Sequence, residues 1–194
     1  QMCIRDSHAA VIEWCRRGSR DLRWRAPERT PWQVLVSEIM LQQTPVGRVL
    51  PVWRRWLEQW PEPGDLAAAS PAEVLRAWDR LGYPRRALRL HAAAQNIAAE
   101  HDGRVPEDHA QLLALPGIGA YTAAAVAVFA FGQRHTVVDT NIRRVEARVF
   151  SGRALPSRSL TAAETRLAQD VLPQDVAESV AWNQAVMEPV SYTH

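Results

Sequence analysis

Two acidic residues, Glu38 and Asp139, occupy positions where a carboxylate could do chemistry. Glu38 lies in PWQVLVSEIMLQQ, residues 31–43, and shares one face of a predicted helix with Val34 and Leu41. A carboxyl in an apolar stripe must be paired, protonated or functional, because an unpaired buried charge is costly. Desolvation raises the pKa of such a group, which suits a general acid working near neutral pH. The alternative is a structural Glu hydrogen-bonded at a helix junction.

Asp139 precedes a second helical pattern. Ile142, Val145 and Val149 follow it at helical spacing, so Asp139 stands at or just before a helix start. Capping the helix is the ordinary role of an Asp at that place. The spacing alone leaves open whether this carboxylate also does chemistry.

A glycine hairpin lies between the two acids. Leu115 ends one helical pattern, residues 116–119 form a Pro-Gly-x-Gly turn, and an Ala/Val run from Thr122 is long enough for a buried helix. Gly117 and Gly119 allow close approach, and the N–H groups that open the second helix point outward, so a phosphate fits there. An ordinary corner between two helices is the alternative.

The remaining elements are also helical, with no strand pattern and no repeat, so we expect an all-α fold. Helices are predicted over residues 8–17, 31–43, 49–60, 71–80, 85–100, 107–115, 161–171 and 175–188, besides those after Thr122 and Asp139. Ser70 and Glu73 have the spacing of a capping box. Trp53, Trp56 and Trp60 recur at helical spacing and are interpreted as packing. The turn LGYP, residues 81–84, would suit a wedge into a base stack or a helix C-cap.

Composition limits the function classes. The 194 residues are 47% hydrophobic and carry a net charge of +2, so the total charge makes no case for nucleic acid, although arginines cluster over residues 76–89. All 23 basic residues are Arg, which excludes Schiff-base catalysis by a lysine side chain. The two cysteines, Cys3 and Cys15, have no metal-ligand spacing, and we expect a reducing, cytoplasmic setting. No apolar run reaches membrane-spanning length, and no signal peptide is expected.

Five motifs together resemble the MutY-type adenine DNA glycosylases of the helix-hairpin-helix superfamily: SEIMLQQT (37–44), RLGYPRRA (80–87), LPGIGAYTA (115–123), VVDTNIRRV (137–145) and WNQAVME (182–188). The resemblance implies two helical lobes with the active site in the cleft between them. One lobe spans residues 29–134 and contains the hairpin. The other combines residues 8–28 with 135–188. Residues 1–7 and 189–194 are expected to be non-native ends.

The resemblance implies base-excision repair, in which adenine paired with 8-oxoguanine or guanine is flipped out of the duplex and its N-glycosidic bond hydrolysed. Glu38 matches the general acid. Asp139, supported by Tyr121 and Asn141, matches the carboxylate that stabilises the sugar cation or traps it covalently. Other matched positions line the adenine pocket: Trp24, Arg25 and Gln184. The predicted DNA contacts are Gln43, Thr44, Leu81, Tyr83, Arg85, Arg86, Gly117 and Gly119, of which the two glycines hold a phosphate.

Tyr121 separates this chain from endonuclease III-type enzymes, which carry a nucleophilic Lys there. A monofunctional hydrolase is therefore expected. Two alternatives stay open: another glycosylase of the superfamily, endonuclease III-like or specific for thymine mismatches, and a DNA-binding fragment without catalysis. Family members also hold a 4Fe-4S cluster through four cysteines that this sequence lacks, so we expect a truncated and weakly active enzyme. The expected partner is mispaired duplex DNA, bound by a monomer at the bacterial nucleoid.

Overall fold

The fold was analysed in a computed structural model that describes residues 4–18 and 22–187. These residues form α-helices and two short 3-10 turns, at Arg23–Arg25 and Asp79–Leu81, and contain no strand, as the all-α prediction requires. No helix among them is long and apolar enough to cross a membrane. The helices in chain order are α1 (Ile4–Gly18), α2 (Pro31–Leu41), α3 (Val46–Gln59), α4 (Pro63–Ala68), α5 (Pro71–Ala77), α6 (Arg85–Glu100), α7 (His109–Ala114), α8 (Ala120–Phe131), α9 (Thr140–Phe150), α10 (Ala162–Val171) and α11 (Val176–Met187).

The chain divides into two compact units. The central unit is Leu22–Phe131, and the terminal unit combines the chain up to Asp21 with the chain from Gly132 onward. The expected boundary at residue 29 differs from this division. Leu22 and Trp24 belong to the core of the central unit, with exposed fractions of 6% and 4%, so residues 22–28 pack with that unit.

Indole rings fill much of the core of the central unit. Trp56 packs edge to face against Trp60 and Trp78, with ring centroids 4.7 and 5.6 Å apart. Trp53 is buried beside them, so the interpretation of the tryptophan stripe as packing is confirmed. Residues 122–129 of α8 are buried as well, as the Ala/Val run predicted.

Several helix ends differ from the predicted ones. Helix α1 begins at Ile4 rather than at residue 8, and α5 ends at Ala77, where the chain turns through Asp79 at a φ of 52°. Helix α4 was not predicted; its first turn is closed by Asp65, whose Oδ2 accepts from the Glu62 N–H at 2.9 Å. Of the proposed non-native ends at residues 1–7 and 189–194, residues 4–7 belong to α1, and the others lie outside the described residues.

Candidate functional site

Glu38 is buried in the central unit, as its helical face predicted, with 6% of its surface exposed. Helix α2 begins with a capping box, in which Thr30 and Gln33 exchange hydrogen bonds, and its residues 34–40 are all buried. The phenol of Tyr121, at the start of α8, donates to Glu38 Oε2 at 3.2 Å. The sequence assigned Tyr121 to the support of Asp139, which belongs to the other unit, and that role stays a prediction; within the central unit the hydroxyl orients the buried Glu38.

Two predicted DNA-contact segments flank one groove of the central unit. We call Gln42–Thr44 the glutamine segment and Leu81–Tyr83 the tyrosine segment. Gln43 and Tyr83 are exposed and adopt left-handed φ angles of 56° and 48°, a conformation that costs about 1–3 kcal/mol for a residue other than Gly. Between the segments lies a groove of about 310 Å³, which is lined by Gln42, Gln43, Tyr83, Arg85, Arg86 and Arg89.

The members of these segments divide into exposed and buried residues. Tyr83 is 63% exposed, as a wedge requires, whereas Leu81 is only 3% exposed and belongs to the core. Thr44 is buried, and its hydroxyl donates to the Leu81 carbonyl at 3.2 Å. Leu81 and Thr44 therefore do not fit a direct insertion into DNA. Instead they fix the backbone next to the exposed residues.

Two other predicted contacts also lie inside the central unit. Arg86 is 7% exposed and donates to backbone carbonyls, whereas Arg85 beside it is exposed as a DNA contact requires. Trp24 is 4% exposed and packs edge to face on Trp53, with centroids 5.5 Å apart, which fits a core role better than stacking on a base. Arg25 follows it in the 3-10 turn and is half-buried.

The glycine hairpin packs on helix α6 from one side. Gly117 has a φ of +77°, and a Cβ there would lie 2.6 Å from the Arg89 Cβ, so any side chain would collide. A Cβ on Gly119 would meet no atom within 4 Å, and both glycines are exposed. The hairpin therefore needs Gly117 for packing and leaves open space at Gly119, next to the start of α8.

Asp139 caps helix α9 in the terminal unit, which is the structural role that its position predicted. Its Oδ1 accepts from the backbone N–H groups of Asn141 and Ile142 at 2.8 and 2.6 Å. The Asn141 side-chain oxygen in turn accepts from Arg144 at 3.4 Å. Gln184 is half-buried on α11 in the same unit. The cap fixes the carboxylate of Asp139 relative to the axis of α9.

Sequence reasoning missed the residues that hold Asp139 in place. Asn183 is 2% exposed; its Oδ1 accepts from the Val137 N–H at 3.2 Å and its Nδ2 donates to the His135 carbonyl at 3.1 Å. It thereby fixes the extended segment that leads into Asp139. The sequence signal for this role was the position of Asn183 between Trp182 and Gln184 in the WNQAVME motif.

A second group missed from the sequence surrounds Arg143. Its Nη2 donates to the carbonyls of Ser157 and Ser159 and to Glu164 Oε2, all within 2.8 Å. Burial tends to raise the pKa of Glu164, but hydrogen bonds from Ser157, Thr161 and Arg143 outweigh it and lower the pKa to about 2. These contacts fasten the 151–161 link to α9.

Glu146 is a buried carboxyl of the terminal unit whose pKa is raised. It is 3% exposed on α9, and its Oε2 has no hydrogen-bond partner among the described residues. Burial, followed by the negative charges of Glu164 and Asp139, raises the pKa of Glu146 to about 7. Glu146 is therefore mostly protonated below that pH.

The residues of this chain do not fit a 4Fe-4S cluster, which takes four cysteine thiolates. The chain has two cysteines, and Cys3 lies outside the described residues. No group of three or more His, Cys, Asp and Glu side chains in the described residues is placed to hold a metal. No step of the chemistry is therefore assigned to a cluster.

The chain is similar in sequence to base excision DNA repair proteins. Residues 36–169 match the family described as HhH-GPD superfamily base excision DNA repair protein. The adenine DNA glycosylase of Mycobacterium tuberculosis H37Rv is 57% identical over 76% of this chain and 49% of its own length. The human adenine DNA glycosylase is 40% identical over 92% of this chain and 34% of its own length. The chain thus spans between a third and a half of these relatives.

Solved structures give the same fold. A thermostable thymine-DNA glycosylase superposes with a TM-score of 0.86 at 27% identity, over 97% of this chain and 86% of the other. A trapped endonuclease III–DNA intermediate superposes with a TM-score of 0.78 at 21% identity, over 96% and 85%. The family match over residues 36–169, together with the sequence relatives, shows that the chain belongs to the HhH-GPD superfamily of base excision DNA repair proteins.

Proposed function

We propose that this chain carries the base-excising part of an adenine DNA glycosylase. The reaction is hydrolysis of the N-glycosidic bond of adenine paired with 8-oxoguanine or guanine in duplex DNA. The observation that carries the proposal is Glu38, a carboxyl that is 6% exposed on an apolar helix and is oriented by the Tyr121 hydroxyl. The names of the relatives that match it support adenine as the base.

Each carboxyl has a separate task in this reaction. Protonated Glu38 gives its proton to the departing adenine as the bond between the base and the sugar breaks. The negative charge of Asp139 stabilises the cation that develops on the sugar, and water then adds to that carbon and loses a proton. The products are free adenine and an abasic site. The cap on α9 keeps Asp139 in a fixed direction during the reaction.

DNA is held by the exposed features of the central unit. Tyr83 and Gln43 enter the duplex next to the mispair, and Arg85 contacts the backbone. The hairpin binds a phosphate at Gly119, where the open space beside the start of α8 leaves room for it. We further propose that the protein acts as a monomer at the bacterial nucleoid.

Strand cleavage is not part of the proposed reaction. Tyr121 stands where endonuclease III-type enzymes have a nucleophilic Lys, and the 194-residue sequence contains no Lys. A phenol does not form a Schiff base with the sugar, so the chain is expected to leave the abasic site intact.

A thymine or uracil glycosylase is the second candidate. It is favoured by a thymine/uracil-DNA glycosylase of Pyrobaculum aerophilum, which is 33% identical over 92% of this chain and 79% of its own length. A substrate panel separates the two candidates, because the same duplex can carry adenine opposite 8-oxoguanine, adenine opposite guanine, or thymine or uracil opposite guanine.

Single-turnover base release with this panel, with and without alkali, tests the proposal. We expect adenine release that appears as a strand break only after alkali.

Glu38→Gln removes the proton donor and should slow release by about 100-fold to 10,000-fold. Asp139→Asn keeps a good N-cap while removing the charge, so a loss in this variant reports chemistry rather than helix stability. Glu100→Gln, at an exposed carboxyl of α6, is the control. Faster release of thymine or uracil than of adenine would reassign the substrate.

A further inference from the structure

The side chain of Arg86 joins the two segments that flank the groove. It projects from the first turn of α6 and is 7% exposed. Its Nη1 donates to the Ile39 and Met40 carbonyls, both at 3.1 Å, and to the Gln42 carbonyl. Helix α2 ends at Leu41, so these carbonyls include ones that lack a partner within the helix. One half of the guanidinium therefore closes the C-terminus of α2 and holds the start of the glutamine segment.

The other half of the guanidinium holds the tyrosine segment. Arg86 Nη2 donates to the Leu81 carbonyl at 3.1 Å and the Gly82 carbonyl at 3.2 Å. It also donates to Thr44 Oγ1 at 2.9 Å, which brings the end of the glutamine segment to the same cation. Both segments are thus tied to one side chain.

The face of the guanidinium contacts two aromatic rings. Its central carbon lies 5.4 Å from the centroid of Trp78, in the core, and 5.5 Å from that of Tyr83, which is 63% exposed. The backbone of Tyr83 is left-handed, with a φ of 48°, and such a conformation persists only where the surroundings hold it. The bonds from Arg86 to the Leu81 and Gly82 carbonyls, just before Tyr83, and the contact with its ring provide that support.

We propose that Arg86 is a positioning residue of the DNA interface, which sets Gln43 and Tyr83 in their DNA-binding arrangement before DNA arrives. This inference rests on the proposed function, since it deepens the role of the same surface. Preorganisation of this kind raises affinity because the segments need not be ordered at the moment of binding. Arg86 itself contacts no phosphate in this scheme.

An arginine is required because of its shape. The planar guanidinium offers donors in two directions and an aromatic face at once, whereas a lysine ammonium is a point charge with three donors. Arg86→Lys keeps the positive charge but cannot reach the acceptors on both segments. Burial of the charged group lowers the pKa of Arg86. The oxygens around it accept from Nη1 and Nη2, whereas Nε has no hydrogen-bond partner among the described residues.

The test measures binding of a duplex with adenine opposite 8-oxoguanine as a function of salt. Three variants are compared with the wild-type chain: Arg86→Lys, Arg86→Gln and Arg85→Gln. Loss of a direct phosphate contact lowers the slope of log Kd against log salt by about 0.9. We expect that loss for Arg85→Gln. For Arg86→Gln we expect binding that is at least about tenfold weaker, as is typical when an important interface residue is truncated. The slope of log Kd against log salt should equal that of the wild-type chain. A lower slope for Arg86→Gln would overturn the inference.

Hydrogen exchange and fluorescence distinguish a positioning role of Arg86 from a role in the overall stability of the central unit. Hydrogen exchange should quicken in Arg86→Lys at the amides of residues 42–44 and 81–83 and stay unchanged in α8. A 2-aminopurine next to the mispair should brighten on binding to the wild-type chain, because Tyr83 unstacks it, and brighten less with Arg86→Lys. Faster exchange throughout the central unit, or wild-type fluorescence and affinity in Arg86→Lys, would overturn the inference.

The outcomes also separate this inference from the proposed function. A wild-type chain that neither binds the mispaired duplex in preference to a matched one nor releases adenine would contradict the proposed function, and this inference with it. A wild-type chain that does both, beside an Arg86→Lys variant with the same affinity and fluorescence, would overturn the inference alone.

Discussion

The central and terminal units each contain a buried arginine that fastens two backbone segments, but the two arginines use different acceptors. Arg86 and Arg143 are 7% and 8% exposed, so their burial is nearly the same. Every acceptor of Arg86 among the described residues is a carbonyl or a hydroxyl oxygen. Arg143 bonds two carbonyls as well, but it also pairs with the carboxylate of Glu164 at 2.8 Å.

The surroundings of the two arginines also differ in their response to pH. Carbonyl and hydroxyl groups do not titrate in the neutral range, so the Arg86 cluster keeps its charge as the pH changes. The terminal unit, by contrast, contains two carboxyls whose pKa values are shifted in opposite directions. Glu164 holds Arg143 and has a pKa of about 2, whereas Glu146 is left with a pKa of about 7. Of the two surroundings compared, the one in the terminal unit therefore contains the carboxyl that titrates near neutral pH.

The largest expected effect is the loss of the Arg143 cluster. Arg143→Met removes the cation and leaves Glu164 without its partner and the Ser157 and Ser159 carbonyls without a donor. Breaking such a pair from one side typically costs about 3–5 kcal/mol. Urea unfolding should show this loss, and hydrogen exchange should place it in α9 and α10.

The double variant Arg143→Met with Glu164→Gln is the control for that prediction. Removing both charges should recover part of the loss, because the uncompensated carboxylate is gone. A double variant as unstable as the sum of the two single variants would contradict a coupled pair. Equal loss of protection in α6 would contradict the assignment of the effect to the terminal unit.

Much of the fold followed from local patterns in the sequence. The burial of Glu38, the cap by Asp139 and the capping box at Ser70 were predicted because each depends on residues within one or two helical turns. Helix α6 has the predicted bounds of residues 85–100 because a Pro before it and a polar turn after it limit the pattern.

The long-range polar contacts could not be predicted in the same way. Arg86 was expected to contact DNA together with Arg85, since two adjacent arginines in a basic segment look alike. Its burial depends in part on carbonyls of α2, more than 40 residues away in the sequence. Glu146 likewise resembles an exposed helical Glu. Helix α4 was missed because its six residues are too few for a helical period to be recognised.

The second prediction concerns the pH dependence of the terminal unit. A carboxyl with a higher pKa in the folded than in the unfolded chain favours folding at low pH, and this contribution is lost as the pH rises through the folded value. For Glu146 this loss takes place between the ordinary pKa of 4.5 and the pKa of about 7 in the folded chain. As the pH rises through this range, the free energy of unfolding should fall by up to about 3 kcal/mol.

Glu146→Gln isolates this contribution. The neutral amide does not titrate, so the stability of the variant relative to the wild-type chain should increase between pH 5 and pH 8, measured by urea unfolding at each pH. Glu178→Gln is the matched control, because Glu178 is the only ionisable residue of α11 and is exposed. A constant difference between Glu146→Gln and the wild-type chain over this range would show that Glu146 is not the group that titrates.

The smallest expected effects come from removing two helix caps of the same kind, one in each unit. Ser70→Ala removes the cap of α5, which stands apart from either arginine cluster, and should cost about 1 kcal/mol. Thr161→Ala removes the cap of α10, but Thr161 also donates its backbone N–H and hydroxyl to Glu164 Oε2, the oxygen that Arg143 binds. The loss should therefore be larger, at about 2 kcal/mol, the upper end for such caps.

Ser70→Thr and Thr161→Ser keep the hydroxyls and should be nearly neutral. Urea unfolding at one pH measures all four variants, and equal losses for the two alanine variants would mean that the cap of α10 acts independently of Arg143.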